Sequence, residues 1–224
     1  MIPPLAPAPA AVLIPCRDRH GAPLELPGDL ALPDDPRGLV IFAHGSGSGR
    51  TSPRNRFVAG VLHEAGLATL LFDLLTPLEA EERGNVFDID LLSDRLGEAV
   101  RWAASQAATA SLPVGLFGAS TGAAAALRTA AAERRVTAVV SRGGRPDLAG
   151  PSLRHVRVPV LLVVGSLDED VLELNRRALD HLGGAKQLSI VRGASHLFEE
   201  EGTLAEAARL AAEWFRRYLA PPPG

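Results

Sequence analysis

The residues with the most direct chemical reading are Gly118-Ala119-Ser120-Thr121-Gly122, set between a short apolar run, Leu112 to Phe117, and an alanine-rich stretch, Ala123 to Ala132. A serine hydroxyl attacks a carbonyl well only when it stands clear of the backbone, has a base to take its proton, and faces donors for the oxyanion it creates. A serine at the apex of a strand–turn–helix, flanked by glycines, meets the first need. The other two must come from elsewhere in the chain.

An acid and a base follow in order. The apolar run Val160 to Val164 leads into Gly165-Ser166-Leu167-Asp168, and Asp168 is placed to orient an imidazole and stabilise its protonated form. The competing reading makes Asp168, with Glu169 and Asp170, the negatively charged first turn of a helix. His196 stands in a loop beyond the last apolar run. Of the six histidines only His44 and His196 fall at the ends of strand-like runs, and only His196 follows the acid.

His44-Gly45-Ser46-Gly47-Ser48-Gly49 closes the first buried run. Its Ser46 N–H, paired with the Thr121 N–H just past the nucleophile, is the expected oxyanion hole. A phosphate cradle or a plain tight turn are the alternatives; the run lacks the Lys-Ser/Thr of a P-loop and does not fit Gly-x-Gly-x-x-Gly before a helix. His44 reads as a structural hydrogen-bonding residue beneath this loop. Arg142 and Arg145 follow another strand end. They either contact a substrate carboxylate through charge-assisted bonds or pair with Asp147 and cap backbone carbonyls. The same two readings, substrate contact or structural support, apply to Arg50, Arg54 and Arg56, with stabilisation of their own loop and helix start the favoured one.

These parts need a scaffold that brings strand ends together. Two short antiparallel edge strands are expected at Ala11 to Pro15 and Pro23 to Leu32. Six continuous apolar runs follow: Leu39 to Ala43, Ala68 to Phe72, Pro113 to Phe117, Val136 to Val140, Val158 to Val164 and Gln187 to Val191. Unbroken runs of this kind suit parallel strands covered on both faces. Helices are expected between them: one capped by Ser52-Pro53, with Phe57, Val58, Val61, Leu62 and Ala65 on one face, then Ile89 to about Ala108, the Ala123 stretch, Asp170 to Leu182, and Thr203 to Leu219. The alternation implies an α/β fold with a mostly parallel sheet, whose ligands gather at the carboxyl ends of the strands.

Composition narrows the function classes. The 224 residues suit one α/β domain, 1–224, with its core at about 11–219. A formal net charge of −3 gives no case for binding nucleic acid or an anionic membrane. Cys16 is the only cysteine, which excludes an internal disulfide and a cysteine-based zinc site. The proline-broken start, Met1 to Ala11, lacks a basic region and does not read as a signal peptide. No stretch approaches about 18 apolar residues. A cytoplasmic enzyme with neither membrane nor nucleic-acid partner is expected. Residues Met1 to Ala10 and Pro221 to Gly224 read as loose ends, and the oligomeric state is not legible.

Taken together the chain resembles an α/β-hydrolase, and more closely the dienelactone hydrolase group with its small lidless bacterial members. The resemblance rests on His44 to Ser48 with Ser52-Pro53-Arg54-Asn55-Arg56, on Phe72-Asp73-Leu74-Leu75-Thr76, on the serine turn, and on Ser141-Arg142-Gly143-Gly144-Arg145-Pro146-Asp147. It covers about Ala11 to Leu219 and implies an eight-stranded sheet with strand 2 antiparallel, no metal and no organic cofactor. Authentic dienelactone hydrolases carry cysteine where this chain has Ser120, so the resemblance implies a general serine carboxylic-ester hydrolase acting on a small-molecule ester.

The short connection Ser141 to Arg157 leaves no room for a large lid. Asp73 to Asp88, with Leu74, Leu75, Leu78 and Phe87, either walls an acyl pocket or is a surface loop. Thioesterase, peptidase or acyltransferase activity would use the same triad. A non-catalytic binding scaffold and a nucleotide-binding loop are the readings from other classes.

Overall fold

The computed structural model describes residues 9–219, and within them eight strands form one sheet in the order β1-β2-β4-β3-β5-β6-β7-β8. The strands are β1 (Ala10–Arg17), β2 (Pro23–Ala31), β3 (Leu39–Ala43), β4 (Ala68–Phe72), β5 (Val114–Ala119), β6 (Val136–Arg142), β7 (Val160–Gly165) and β8 (Lys186–Val191). Strand β2 runs antiparallel to both its neighbours, β1 and β4, and every other pairing is parallel. This is the sheet of an α/β-hydrolase, flanked by helices and without a large lid.

The helices are α1 (Pro53–Glu64), α2 (Pro77–Glu81), α3 (Arg83–Val86), α4 (Ile89–Ser105), α5 (Thr121–Ala132), α6 (Glu169–His181) and α7 (Thr203–Tyr218), with a 3-10 segment, Pro146–His155, between β6 and β7. The continuous apolar runs have a simple cause. Successive strand residues point to opposite faces, so Leu39, Ile41 and Leu116 join the core under α4 and α5, while Val40, Phe42 and Phe117 join the one under α1 and α7. Both faces are covered, so neither register can be polar.

Several expectations are corrected. Only β1 is an edge strand on its side of the sheet; β2 lies inside, between β1 and β4. Strand β8 is the other edge and is mostly exposed, which is why Lys186, Gln187 and Ser189 break its apolar pattern. Phe57 is 45% exposed rather than core, whereas Asn55 of the same helix is buried. The Asp73–Asp88 connection carries two short helices, with Thr76 and Glu79 forming a capping box at α2. The expectation of loose ends, Met1 to Ala10 and Pro221 to Gly224, lies outside the described part apart from Pro9 and Ala10, where Ala10 already begins β1. Among the described residues no helix is long and apolar enough to cross a membrane.

Candidate active site

Ser120 sits where β5 ends and α5 begins, at φ 52° and ψ −122°. Positive φ in a residue with a Cβ is strained, and the surroundings enforce it. Ser120 N–H donates to Arg142 O at 3.3 Å, and its carbonyl accepts from Arg145 N–H at 3.1 Å. The turn also closes too tightly for side chains at its glycines. A Cβ on Gly122 would lie 2.1 Å from Ala43 O, and one on Gly118 would lie 2.4 Å from Ala123 Cα. The hydroxyl of Ser120 is thereby set, half-buried, at the mouth of a cleft at the carboxyl ends of the strands.

His196 lies on the turn after β8. Its Nδ1 approaches Asp168 Oδ2 at 2.6 Å. With the carboxylate accepting, Nδ1 carries the proton and Nε2 is the basic nitrogen. The two loops that carry these residues are tied together: Leu167 N–H donates to Ala194 O at 3.0 Å, and Gly193 N–H to Ser166 Oγ at 2.8 Å. Glu200 holds the turn from the other side by accepting from Ser195 N–H at 3.0 Å, and that bond draws its carboxyl below the usual range. Ser120 and His196 line one cleft of about 220 Å³ with Gly45, Ser46, Arg54 and Arg142.

The expected oxyanion residues are adjacent but not idle. Ser46 N–H donates to Thr121 Oγ1 at 3.1 Å. An oxyanion needing the Ser46 amide must displace that hydroxyl. Below them His44 is structural, as its position implied. Leu74 N–H donates to His44 Nε2 at 3.0 Å, so Nδ1 bears the proton and donates to Gly45 O at 3.0 Å. Burial holds the imidazole below its usual pKa of 6.5, in the neutral form that this pair of bonds requires.

The two arginines after β6 part company. Arg145 forms a bidentate pair with Asp147, at 2.9 and 2.7 Å, which is the second of the two readings its position offered, and it is not among the residues that line the cleft. Arg142 lines the cleft and is only 8% exposed, with its guanidinium near the rings of Phe117 and Phe198. Arg54, for which support of its loop was the favoured of two readings, lines the cleft. Arg50 does hold its loop, through Asp29 and Asp73. Phe198 went unnoticed in the sequence; it has φ 56° while buried, and apart from Ser120 it is the one non-glycine residue at positive φ among those described.

A second cavity, of about 320 Å³, opens on the far side of the Gly45–Ser48 loop and shares Ser46 and Thr121 with the site. Leu75, Pro77, Ala80 and Val86 wall it, so the Asp73–Asp88 connection is a pocket wall and not a bare surface loop. Of its named residues Leu74 is fully buried, and Leu78 and Phe87 face solvent. Arg95 of α4, itself buried, anchors the wall by a 2.7 Å bond to Glu79. Cys16 offers no rival nucleophile: burial, then the neighbouring Glu98, pushes its thiol up to about 12.

A dienelactone hydrolase from Anabaena variabilis is 50% identical in sequence and superposes with a TM-score of 0.88, covering 95% of this chain and 99% of its own. The chain belongs to the dienelactone hydrolase-like group of α/β-hydrolases. An esterase from Butyrivibrio proteoclasticus, Est1E, shares the α/β-hydrolase fold at a TM-score of 0.76 and 17% identity, over 92% of this chain and 98% of its own. Two Mycobacterium tuberculosis proteins, from strains CDC 1551 and H37Rv, are 58% identical over 218 residues and are described as "Putative phosphoribosyl transferase". The match takes in 95% of this hydrolase-family chain, which spans about half (49%) of the length of those curated relatives. No family model matches the sequence.

Proposed function

We propose that the chain is a serine hydrolase that cleaves carboxylic esters through an acyl-enzyme. The observation that carries this reading is the 2.6 Å contact of His196 Nδ1 with Asp168 Oδ2, beside a strained serine lining the same cleft.

Ser120 Oγ adds to the ester carbonyl carbon as its proton passes to His196 Nε2. Asp168 keeps the imidazole in the tautomer that leaves Nε2 basic and stabilises the imidazolium that forms. Thr121 N–H, at the positive end of α5, takes the oxyanion together with Ser46 N–H once the Thr121 hydroxyl yields it. The imidazolium then protonates the alcohol oxygen as the C–O bond breaks. Water, deprotonated by His196, attacks the acyl-serine and releases the acid. The apolar cavity walled by Leu75 and Val86 suits the acyl or alcohol chain.

A fluorophosphonate probe should label wild-type protein at Ser120. Ser120→Ala should abolish labelling and lower kcat by roughly 10⁴–10⁶ on short-chain p-nitrophenyl esters. Wild-type protein that is neither labelled nor active would leave a binding scaffold as the better reading, and near-normal turnover by the variant would remove Ser120 from the mechanism. Running a thioester and a peptide beside the esters identifies the acyl group preferred.

The transferase description belongs to relatives of which this chain covers 49%. We do not carry that activity over to this chain. Incubation of this chain with phosphoribosyl pyrophosphate and a nucleobase should release no pyrophosphate.

A further inference from the structure

Besides Ser120 and His196, the cleft is lined by Arg142, Arg54, Ser48, Ser52 and Asn55, and no aspartate or glutamate lines any part of it. Arg142 makes no salt bridge among the described residues, and its Nη1 is fully buried without a hydrogen-bond partner. Two aromatic rings flank it, with centroids 6.0 Å (Phe117) and 5.9 Å (Phe198) from the guanidinium carbon. Burial, and then the charge of Arg54, lowers its pKa to about 10, which still leaves it protonated at neutral pH. A desolvated cation with no internal counter-charge is costly to keep. Something that enters the cleft can supply the charge.

Three further features share the same polarity. Arg54 is tied only to the exposed Glu199, at 3.3 Å, so its charge is poorly neutralised. Helix α1 begins at the cleft wall with Ser52 as its cap, and its first turn holds no acidic residue to offset the dipole. Hydroxyls of Ser48 and Ser52 add neutral donors. Two guanidinium groups, a helix N-terminus and two hydroxyls exceed what one carboxylate uses. They match a group with three terminal oxygens and close to two negative charges.

We propose that Arg142 and Arg54 form an anion subsite that selects esters bearing a phosphate group on the part of the substrate lying next to the scissile carbonyl. The catalytic consequence rests on the ester-hydrolase reading above, whereas anion binding does not. In this arrangement the phosphate pairs with the Arg142 guanidinium where it lines the cleft, the reacting carbonyl lies over Ser120, and the remainder of the substrate extends toward the apolar cavity.

The test has a binding arm and a kinetic arm. Calorimetry at constant ionic strength compares inorganic phosphate with acetate and succinate, on Ser120→Ala protein and on the same protein carrying Arg142→Gln, Arg142→Lys or Arg54→Gln. Phosphate should bind more tightly than either carboxylate and should lose about tenfold to a hundredfold in affinity with Arg142→Gln. Arg54→Gln, at a half-buried residue, should weaken it less and keeps the test valid if Arg142→Gln misfolds. The kinetic arm measures kcat/KM for an acetyl ester of glycerol phosphate, for p-nitrophenyl hydrogen succinate and for p-nitrophenyl acetate. The phosphate-to-neutral ratio should fall about tenfold to a hundredfold with Arg142→Gln and recover partly with Arg142→Lys. An unchanged ratio would make Arg142 a packing residue and overturn the proposal, as would preferential binding of succinate. Arginine-dependent phosphate binding by a protein that hydrolyses no ester would uphold the subsite and sink the esterase reading instead.

Discussion

Asp168 occupies the N-cap position of α6 yet makes no side-chain cap to that helix; its carboxylate turns away and meets His196 Nδ1 at 2.6 Å. An aspartate there would ordinarily accept from the N–H groups of the first turn, which is worth about 1 kcal/mol. That contribution is forgone, while Glu169 and Asp170 still supply negative charge to the helix start. The geometry divides labour among three adjacent acids, and only the one that leaves the helix reaches the imidazole.

Asp168→Asn should therefore separate activity from stability. An amide can stabilise the wrong histidine tautomer, and kcat should fall by roughly 10³–10⁴. Because no cap bond is lost, the Tm should remain within a degree or two of wild type. A large drop in Tm with little change in kcat would show that the carboxylate serves the fold.

The strain at Ser120 gives a second expectation. At φ 52° and ψ −122° a Cβ is unwelcome, and such a residue costs on the order of 1–3 kcal/mol. Ser120→Gly should relieve it, less the added entropy of the unfolded chain, for a net gain of about 1 kcal/mol and a Tm rise of roughly 2–4 °C. Ser120→Ala keeps the Cβ and should melt near wild type. Equal Tm values for the two variants would mean the turn stores no strain.

His44 should make the fold acid-sensitive. Its folded pKa is depressed by burial, so as pH falls below 6.5 the unfolded chain binds a proton that the folded chain refuses. Stability from this group is complete above pH 6.5 and is lost as pH falls from there through the lower folded pKa. The slope contributed is at most about 1.4 kcal/mol per pH unit. Protonation would also set an N–H against Leu74 N–H, breaking the bond that positions the pocket wall. Chemical denaturation of wild type and His44→Gln between pH 5 and 7 checks this: the variant should show the shallower pH dependence.

Much of the site was legible in the sequence because its requirements are local. Small residues on both sides of Ser120 are needed wherever a strand turns sharply into a helix, and the contacts facing Gly118 and Gly122 bear that out. Ser120, Asp168 and His196 come to one edge of the sheet because they follow β5, β7 and β8, parallel strands that end on the same side. The buried runs β3 and β4 were read to the residue, since apolar residues on both faces leave a continuous signature. Edge position was harder to see. Strand β8 scores as a strand by its branched residues, but its exposure depends on having a neighbour on one side only.

The sequence by itself thus determined the alternation of elements, the sharp turn at Ser120 and the identity of the candidate nucleophile, acid and base. Only the tertiary structure decided that Arg142 is buried in the cleft while Arg145 is spent on Asp147, that Arg54 comes from another loop to join it, that Thr121 Oγ1 occupies the Ser46 amide, and that Leu75 rather than Leu78 walls the second cavity. The physical reason is that periodicity records which face of an element avoids water. Which side chains from distant segments meet depends on strand order and loop path, and a charge finds or lacks its partner only once those are fixed.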